Sequence, residues 1–228
     1  MRTRRHRHFN AGHAGAALVL DSRFITGLAD GDPVATWADR SGNGNDATQA
    51  AGANRPSFEV TGINSIPTVY FDGSSRFLSN SNSINLTSGC LAVAVMRVDN
   101  TSFNPIASKA SGDITFLQWA TEGLLLAEAD VAAAASEGVT GTINPQIAAW
   151  QWDGGSNASV VRNGVTLASN NAVAITPTNN SSLNIGFESV NYLTGYLSQL
   201  NVFQVALTPS QRRRIEHAAA FSFKLACN

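Results

Sequence analysis

The sequence predicts an all-β protein, an antiparallel two-sheet jelly-roll sandwich with one C-terminal helix. Three observations carry that expectation. Charged residues are only 14% of the 228, while Gly (19), Asn (21) and Ser (23) are abundant. Such a polar but uncharged surplus belongs in turns, whereas a helical bundle needs Glu, Lys and Arg on its outer faces. Short β-rich runs recur between turn clusters along most of the chain, and one late segment carries a helix-start signature. A chain of this length buries roughly 70–75% of its unfolded surface, so a core forms without disulfide or metal staples. No stretch approaches the roughly 18 apolar residues of a membrane helix. A transmembrane helix protein, a coiled coil and a disulfide-rich miniprotein are excluded on composition.

The elements follow in order. Residues 18–20 and 34–37 read as strands, followed by Ser41-Gly42-Asn43-Gly44-Asn45-Asp46, a run suited to tight turns. Residues 67–71 form a strand that ends at Asp72-Gly73. The nearly continuous apolar run 91–98 predicts a strand buried on both faces. Strands at 114–119 and 124–128 flank Thr121-Glu122-Gly123, a hairpin signal. Residues 129–135 are low in complexity and read as a loop or short helix. A strand at 147–152 closes at Asp153-Gly154-Gly155. Residues 158–162 and 165–167 flank Asn163-Gly164, the strongest short hairpin signal. Strands at 183–187 and 195–205 complete the set. Thr208-Pro209-Ser210-Gln211 supplies a capping residue, Pro at the first helical position and Gln three residues after the cap. The helix should run from Pro209 to about Phe221, with Ile215, Ala218, Ala219 and Phe223 near the docked face.

The formal net charge of −1 hides an asymmetry. Arg2, Arg4, Arg5 and Arg7 stand in the first eight residues beside His6 and His8, which leaves 11 basic against 16 acidic residues in 9–228. Residues 1–13 read as a basic arm and 14–228 as the folded domain. Such arms bind nucleic acid or acidic protein surfaces, or stay solvated. The apolar stretch 14–20 is at the lower limit for a signal peptide and runs into Asp21 with no cleavage site. Synthesis in the host cytoplasm without a signal peptide is the expectation, with release by another route such as assembly into a virus particle. The two cysteines, Cys90 and Cys227, lie in apolar surroundings and read as free thiols, although a bridge between them is not deducible from sequence.

Several segments together resemble the LamG-like jelly-roll domains of the concanavalin A-like lectin/glucanase group. They are residues 34–48 (VATWADRSGNGNDAT), 66–73, Trp150-Gln151-Trp152-Asp153-Gly154, residues 161–165 (VRNGV), Ile185-Gly186, and residues 195–203 (GYLSQLNVF) before Ala206-Leu207-Thr208. The resemblance implies a glycan-binding sandwich with Trp37 and Phe71 as core anchors. It also implies a structural calcium where many members carry an acidic pair, but Ser198 and Gln199 stand there, and calcium favours carboxylate ligands. No cofactor is therefore expected. Asp39, Asn43, Asn45 and Asp46 are the loop residues that could hold a cation or ligand, with turn formation as their simpler role.

Glycoside hydrolases of the same group carry a Glu-x-Asp-x-x-Glu strand, whose spacing puts carboxylates on one face. The nearest match is Glu128-Ala129-Asp130, with Ala133 where the third carboxylate would be. The sequence contains neither Gly-x-Ser-x-Gly nor His-Glu-x-x-His. The chain thus reads as no enzyme. Trp150 and Trp152 share parity and read as core, while Trp119 is a candidate for stacking on sugar. Arg212-Arg213-Arg214 and His217 read as a solvated helix face. The function expected is that of a virion surface protein of a phage or phage-like particle, displayed in multiple copies. It would bind a host surface glycan, have no membrane contact, and be anchored by Arg2, Arg4, Arg5 and Arg7 to a capsid, portal or tail protein. The alternative is a free-standing bacterial carbohydrate-binding module or surface lectin.

Overall fold

The structure is a computed structural model. It describes residues 15–80, 84–100, 102–109, 114–119, 123–128, 131–135, 143–173, 175, 177 and 181–228. Two antiparallel sheets of eight strands each stack face to face. The first runs Val165–Asn170, Ala158–Arg162, Gln146–Trp152, Cys90–Val98, Thr194–Phe203, Ile66–Asp72, Ser57–Ile63. Leu18–Asp21 pairs with the second half of Thr194–Phe203, in the register Leu18 opposite Val202. The second sheet runs Val131–Ala135, Gly123–Glu128, Thr115–Trp119, Asn104–Lys109, Leu183–Ile185, Leu78–Asn80, Ala47–Thr48, Thr36–Trp37. A two-stranded ribbon, Phe187–Glu188 with Asn191–Tyr192, lies outside both. The predicted all-β sandwich with one C-terminal helix is the observed architecture.

The central strand Cys90–Val98 shows why the sandwich holds. Cys90, Ala92, Ala94, Met96 and Val98 point into the space between the sheets. Leu91, Val93 and Val95 point the other way, into a second core under the helix. Period-two alternation therefore buries every second residue in each of two cores, and the run reads as continuously apolar because both faces are covered. Trp37, Phe71, Trp150 and Trp152 are at most 2% exposed between the sheets. Phe116 of the second sheet meets Trp150 of the first with ring centroids 6.0 Å apart. Each indole removes about 150–250 Å² from water, worth about 4–6 kcal/mol at 25 cal/mol per Å².

The helix Pro209–Phe223 docks on the outer face of the first sheet through Ile215, Ala219, Ala220 and Phe223. Its start is the expected capping box: the Gln211 amide donates to Thr208 Oγ1 and the Thr208 amide to Gln211 Oε1 at 3.0 Å. Lys224, at φ 55°, terminates it in the left-handed region. Ala218 is only half-buried, and the helix runs two residues past the expected end because Phe223 is a buried anchor.

Several expectations change. Val131–Ala135 is a strand paired with Gly123–Glu128, not a loop or helix; an edge position lets a run of alanines pair where propensity alone points elsewhere. The run 183–187 breaks at Gly186 (φ 77°), so Phe187 leaves the sheet for the ribbon. Two strands, Ser57–Ile63 and Asn104–Lys109, lack an obvious sequence signature. The second contains Lys109, a fully buried lysine whose ammonium donates to the Ile84 and Ser181 carbonyls at 2.9 and 2.8 Å. A lysine reads as exposed until its acceptors are known. Arg212 is also buried, beside Glu216 (Nε–Oε1 3.2 Å), whereas Arg213, Arg214 and His217 are solvated as expected. Burial raises the Glu216 carboxyl above its ordinary value, against the pull of Arg212. Cys90 and Cys227 are free thiols, and full burial pushes Cys90 up to about 12. Among the described residues no helix is long and apolar enough to cross a membrane.

Candidate functional site

The loop that the sequence singled out is a local lattice. Asp39 Oδ1 accepts the Val19 and Ser41 amides at 2.9 and 2.8 Å, and Oδ2 accepts the Ser41 hydroxyl and the Asn45 amide at 2.6 and 3.0 Å. Asp46 accepts the Asp39 amide at 2.8 Å. Asn43 and Asn45 donate their side-chain amides to the Ala16 and Ala17 carbonyls at 2.9 and 2.7 Å. Partial burial alone would raise the Asp39 carboxyl, but the Ser41 hydroxyl and the three amides outweigh it and hold the carboxyl below its ordinary value. The four residues are brought together: Asp39, Asn43 and Asn45 bond the segment 16–19 at the first strand, and Asp46 braces the loop through the Asp39 amide.

The other sequence-chosen residues are scattered. Trp119 ends a strand separated from Thr36–Trp37 by four others, and its side chain lies outside the described residues. Arg2, Arg4, Arg5 and Arg7 lie outside the described residues too, as do His6, His8, His13 and Asp130. Trp150 and Trp152 are core, and the Trp152 indole donates to the Gly155 carbonyl at 2.7 Å. Ser198 and Gln199 are buried within Thr194–Phe203, with Gln199 opposite Asp21. Among the described residues no group of three or more His, Cys, Asp or Glu is placed to hold a metal ion.

The feature that sequence reasoning missed is on the outer face of the second sheet. Register sets Thr36 opposite Thr48, Thr48 opposite Ser79, Ser79 opposite Asn184, Asn184 opposite Ser108, and Ser108 opposite Thr115. Their strand neighbours Trp37, Ala47, Leu78, Leu183, Ile185, Ala107 and Phe116 are buried inside. A ladder of hydroxyl and amide side chains thus crosses six strands. Thr36 and Thr48 are exposed, Ser79 and Asn184 half-buried, and Ser108 and Thr115 covered. The four open rungs span three inter-strand spacings, about 14 Å.

Three aromatic rings border that ladder. Phe77 has the parity of Ser79 and stands two residues before it, about 7 Å along the strand. Phe187 and Tyr192 sit on the ribbon, which is fastened over the ladder by the Ser108 hydroxyl donating to the Phe187 carbonyl at 2.7 Å. Ring centroids are 5.1 Å apart for Phe77–Phe187, 4.8 Å for Phe187–Tyr192 and 6.4 Å for Phe77–Tyr192, all tilted. All three residues are half-exposed. The Gln49 side chain donates to the Phe77 carbonyl at 3.3 Å and ties the ring's strand to the ladder's edge. Uncharged donors and acceptors beside accessible ring faces can bond hydroxyls while covering apolar C–H surface.

No family model matches the chain, so the LamG-like resemblance stands only at the level of a β-sandwich, and no curated protein is similar in sequence. Solved structures are similar in fold. An arabinofuranosidase, complexed with arabinofuranosyl-α-1,2-xylobiose, has a TM-score of 0.71 and 11% identity over 95% of this chain. Domain 4 of AbnA, a GH43 extracellular arabinanase from Geobacillus stearothermophilus in complex with arabinotriose, gives 0.63 and 12% over 88% of this chain and 98% of that one. Trypanosoma rangeli sialidase gives 0.62 and 13% over 93% of this chain. This chain spans 65% of the arabinofuranosidase and 34% of the sialidase. The expectation of a non-enzymatic protein is corrected here. An arabinofuranosidase, a GH54 α-L-arabinofuranosidase and a sialidase are similar to this chain in fold, so the sandwich does not set the chain apart from hydrolases. At such identities the likeness establishes the fold alone.

Proposed function

We propose that the chain is a carbohydrate-binding β-sandwich domain that holds an oligosaccharide along the outer face of its second sheet. The observation that carries this reading is the register-aligned ladder Thr36, Thr48, Ser79 and Asn184 bordered by Phe77, Phe187 and Tyr192. Hydroxyls and amides match sugar hydroxyls, and the rings cover the apolar face of a sugar. Two similar structures were solved with pentose oligosaccharides, arabinofuranosyl-xylobiose and arabinotriose, which supports pentose chains as first probes. The test is calorimetry with arabinotriose, xylotriose and maltotriose, with the same mixtures followed for reducing-end release. Saturable binding by at least one, weakened in Tyr192→Ala, is expected. No binding by any would overturn the reading.

The setting we propose is the surface of a phage or phage-like particle. Many copies would supply the avidity that weak single-sugar contacts lack, and the arm bearing Arg2, Arg4, Arg5 and Arg7 would dock on an acidic capsid, portal or tail protein. The charge split between residues 1–8 and the remaining chain supports this.

A further inference from the structure

A second polar recess lies on the opposite side of the sandwich. On the outer face of the first sheet, beyond the helix, register sets Gln151 opposite Ser159 and Ser159 opposite Ser169. These three floor a cleft of about 310 Å³ whose end is closed by Asp153, Asn157 and the 170–171 turn. That volume is at the lower end for small-molecule sites, enough for one or two sugar rings.

The chemistry of the lining is narrow. Asp153 is the single charged side chain among the residues that line the cleft, and no aromatic ring does. Its Oδ1 accepts the Gly155 and Asn157 amides at 2.8 and 3.0 Å, and its Oδ2 accepts the Asn157 side-chain amide at 2.5 Å. The Asn157 side chain first, and then these amides against slight burial, hold the carboxyl below its ordinary value. Asp153 is therefore ionised at neutral pH and fixed in direction by its own loop. A carboxylate has about four acceptor sites, and three donors leave room for a further one. Gln151 is fixed as well, since its Oε1 accepts the Leu207 amide at 3.3 Å. The result is a rigid, hydrogen-bonding recess with one negative charge.

We infer that this cleft is a second saccharide-contact site, one that takes a neutral mono- or disaccharide unit through its hydroxyls and excludes acidic sugars. An ionised acceptor makes charge-assisted bonds to sugar hydroxyls, stronger than neutral ones. The same charge repels a uronate or sialate carboxylate. The inference rests on the carbohydrate-binding reading and extends it: two sites face opposite ways, so one copy can join two glycan chains.

The experiment is an amide-shift titration of the full chain by NMR with maltotriose, xylotriose and arabinotriose, and separately with trigalacturonate. Amides of Ser159, Ser169 and Asn171 report the cleft; those of Ser79, Asn184 and Tyr192 report the aromatic strip. At least one neutral trisaccharide is expected to move the cleft amides. Asp153→Asn should weaken that contact about tenfold, and trigalacturonate should leave the cleft amides unmoved. Because Asp153 also braces its loop, Ser169→Phe provides a second variant: it fills the cleft from an exposed edge-strand position and should abolish cleft shifts while preserving those of the strip. Shifts confined to the strip would overturn this inference and leave the proposed function standing. Shifts at neither would overturn both. Trigalacturonate binding the cleft as well as the neutral sugars would overturn the assignment of ligand class.

Discussion

Phe187 and Tyr192 face each other across the two-stranded ribbon, partners in register with ring centroids 4.8 Å apart and planes tilted by 39°. The Ser108 hydroxyl, donating to the Phe187 carbonyl, and the Phe77 ring, against both, tie the pair to the second sheet. The ribbon is thus a short, surface-lying element that places aromatic faces beside polar rungs, and neither ring belongs to the buried core.

Removing one of these rings should lower saccharide affinity without unfolding the domain. Tyr192→Ala is expected to weaken binding by about 1 kcal/mol, five- to tenfold, the size of a single ring contact. Calorimetry measures the affinity, and the melting temperature of the same sample should fall by only a few degrees, since Tyr192 is half-exposed. Unchanged affinity would remove the strip from consideration.

Acid should weaken the fold through Asp39 and Asp72. Asp72 accepts the Ser74, Ser75 and Arg76 amides. Burial opposes ionisation, but these bonds win and bring the carboxyl to about 2, from 3.8. Both folded-state values are depressed, so each group adds stability that is fully present above its unfolded value and is lost as pH falls through the folded one. Melting temperatures should therefore decline between about pH 4 and pH 2, with a shallower decline in Asp72→Asn. Equal slopes would refute the assignment.

Asp39→Ala strips the acceptor from four donors at once and should cost about 2–3 kcal/mol, with the first strand's Val19 amide losing its partner. Because those donors occupy the carboxylate's acceptor sites, chelator should leave the wild-type melting temperature unchanged. A chelator-induced fall of many degrees would show that a cation shares the loop.

Gly186→Ala should be among the most damaging single-methyl changes. Gly186 sits at φ 77°, and an added Cβ would strike the buried Phe71 ring. The strained backbone and the forced shift of a core anchor together should cost about 2–4 kcal/mol, read as a lowered midpoint in denaturant. A wild-type midpoint would mean that the sheet-to-ribbon break at this residue tolerates a side chain.

Deleting residues 2–8 should leave the domain's melting temperature intact, because the first strand begins at Leu18. If the arm is the anchor, the same deletion abolishes incorporation into particles, and high salt weakens attachment of the full chain. Incorporation of the truncated protein at full level would move the contact to the sandwich or to Arg213 and Arg214.

Alternation, turn residues and caps are local, so the sequence by itself determined most of the sandwich. The Asn163-Gly164 hairpin has both residues at positive φ, 50° and 84°, as the dipeptide demands. The two-faced Cys90–Val98 strand and the Thr208 capping box follow equally from neighbouring residues. The Asp39–Asp46 loop was legible as a turn for the same reason, although its acceptors on Ala16 and Ala17 were not. What only the tertiary structure decided is everything that depends on register between strands far apart in sequence. Thr36, Thr48, Ser79 and Asn184 each appear as one polar residue beside an apolar one, and nothing local says that they align. Lys109 and Arg212 look solvated until the carbonyls of Ile84 and Ser181, or the carboxylate of Glu216, come to meet them. Phe187 reads as strand until Gly186 turns it out onto a ribbon beside Phe77, a residue 110 positions earlier. A chain encodes each strand's faces locally because the pleat has period two. Pairing partners are selected by burial of the whole, and the candidate binding surface is built from that pairing.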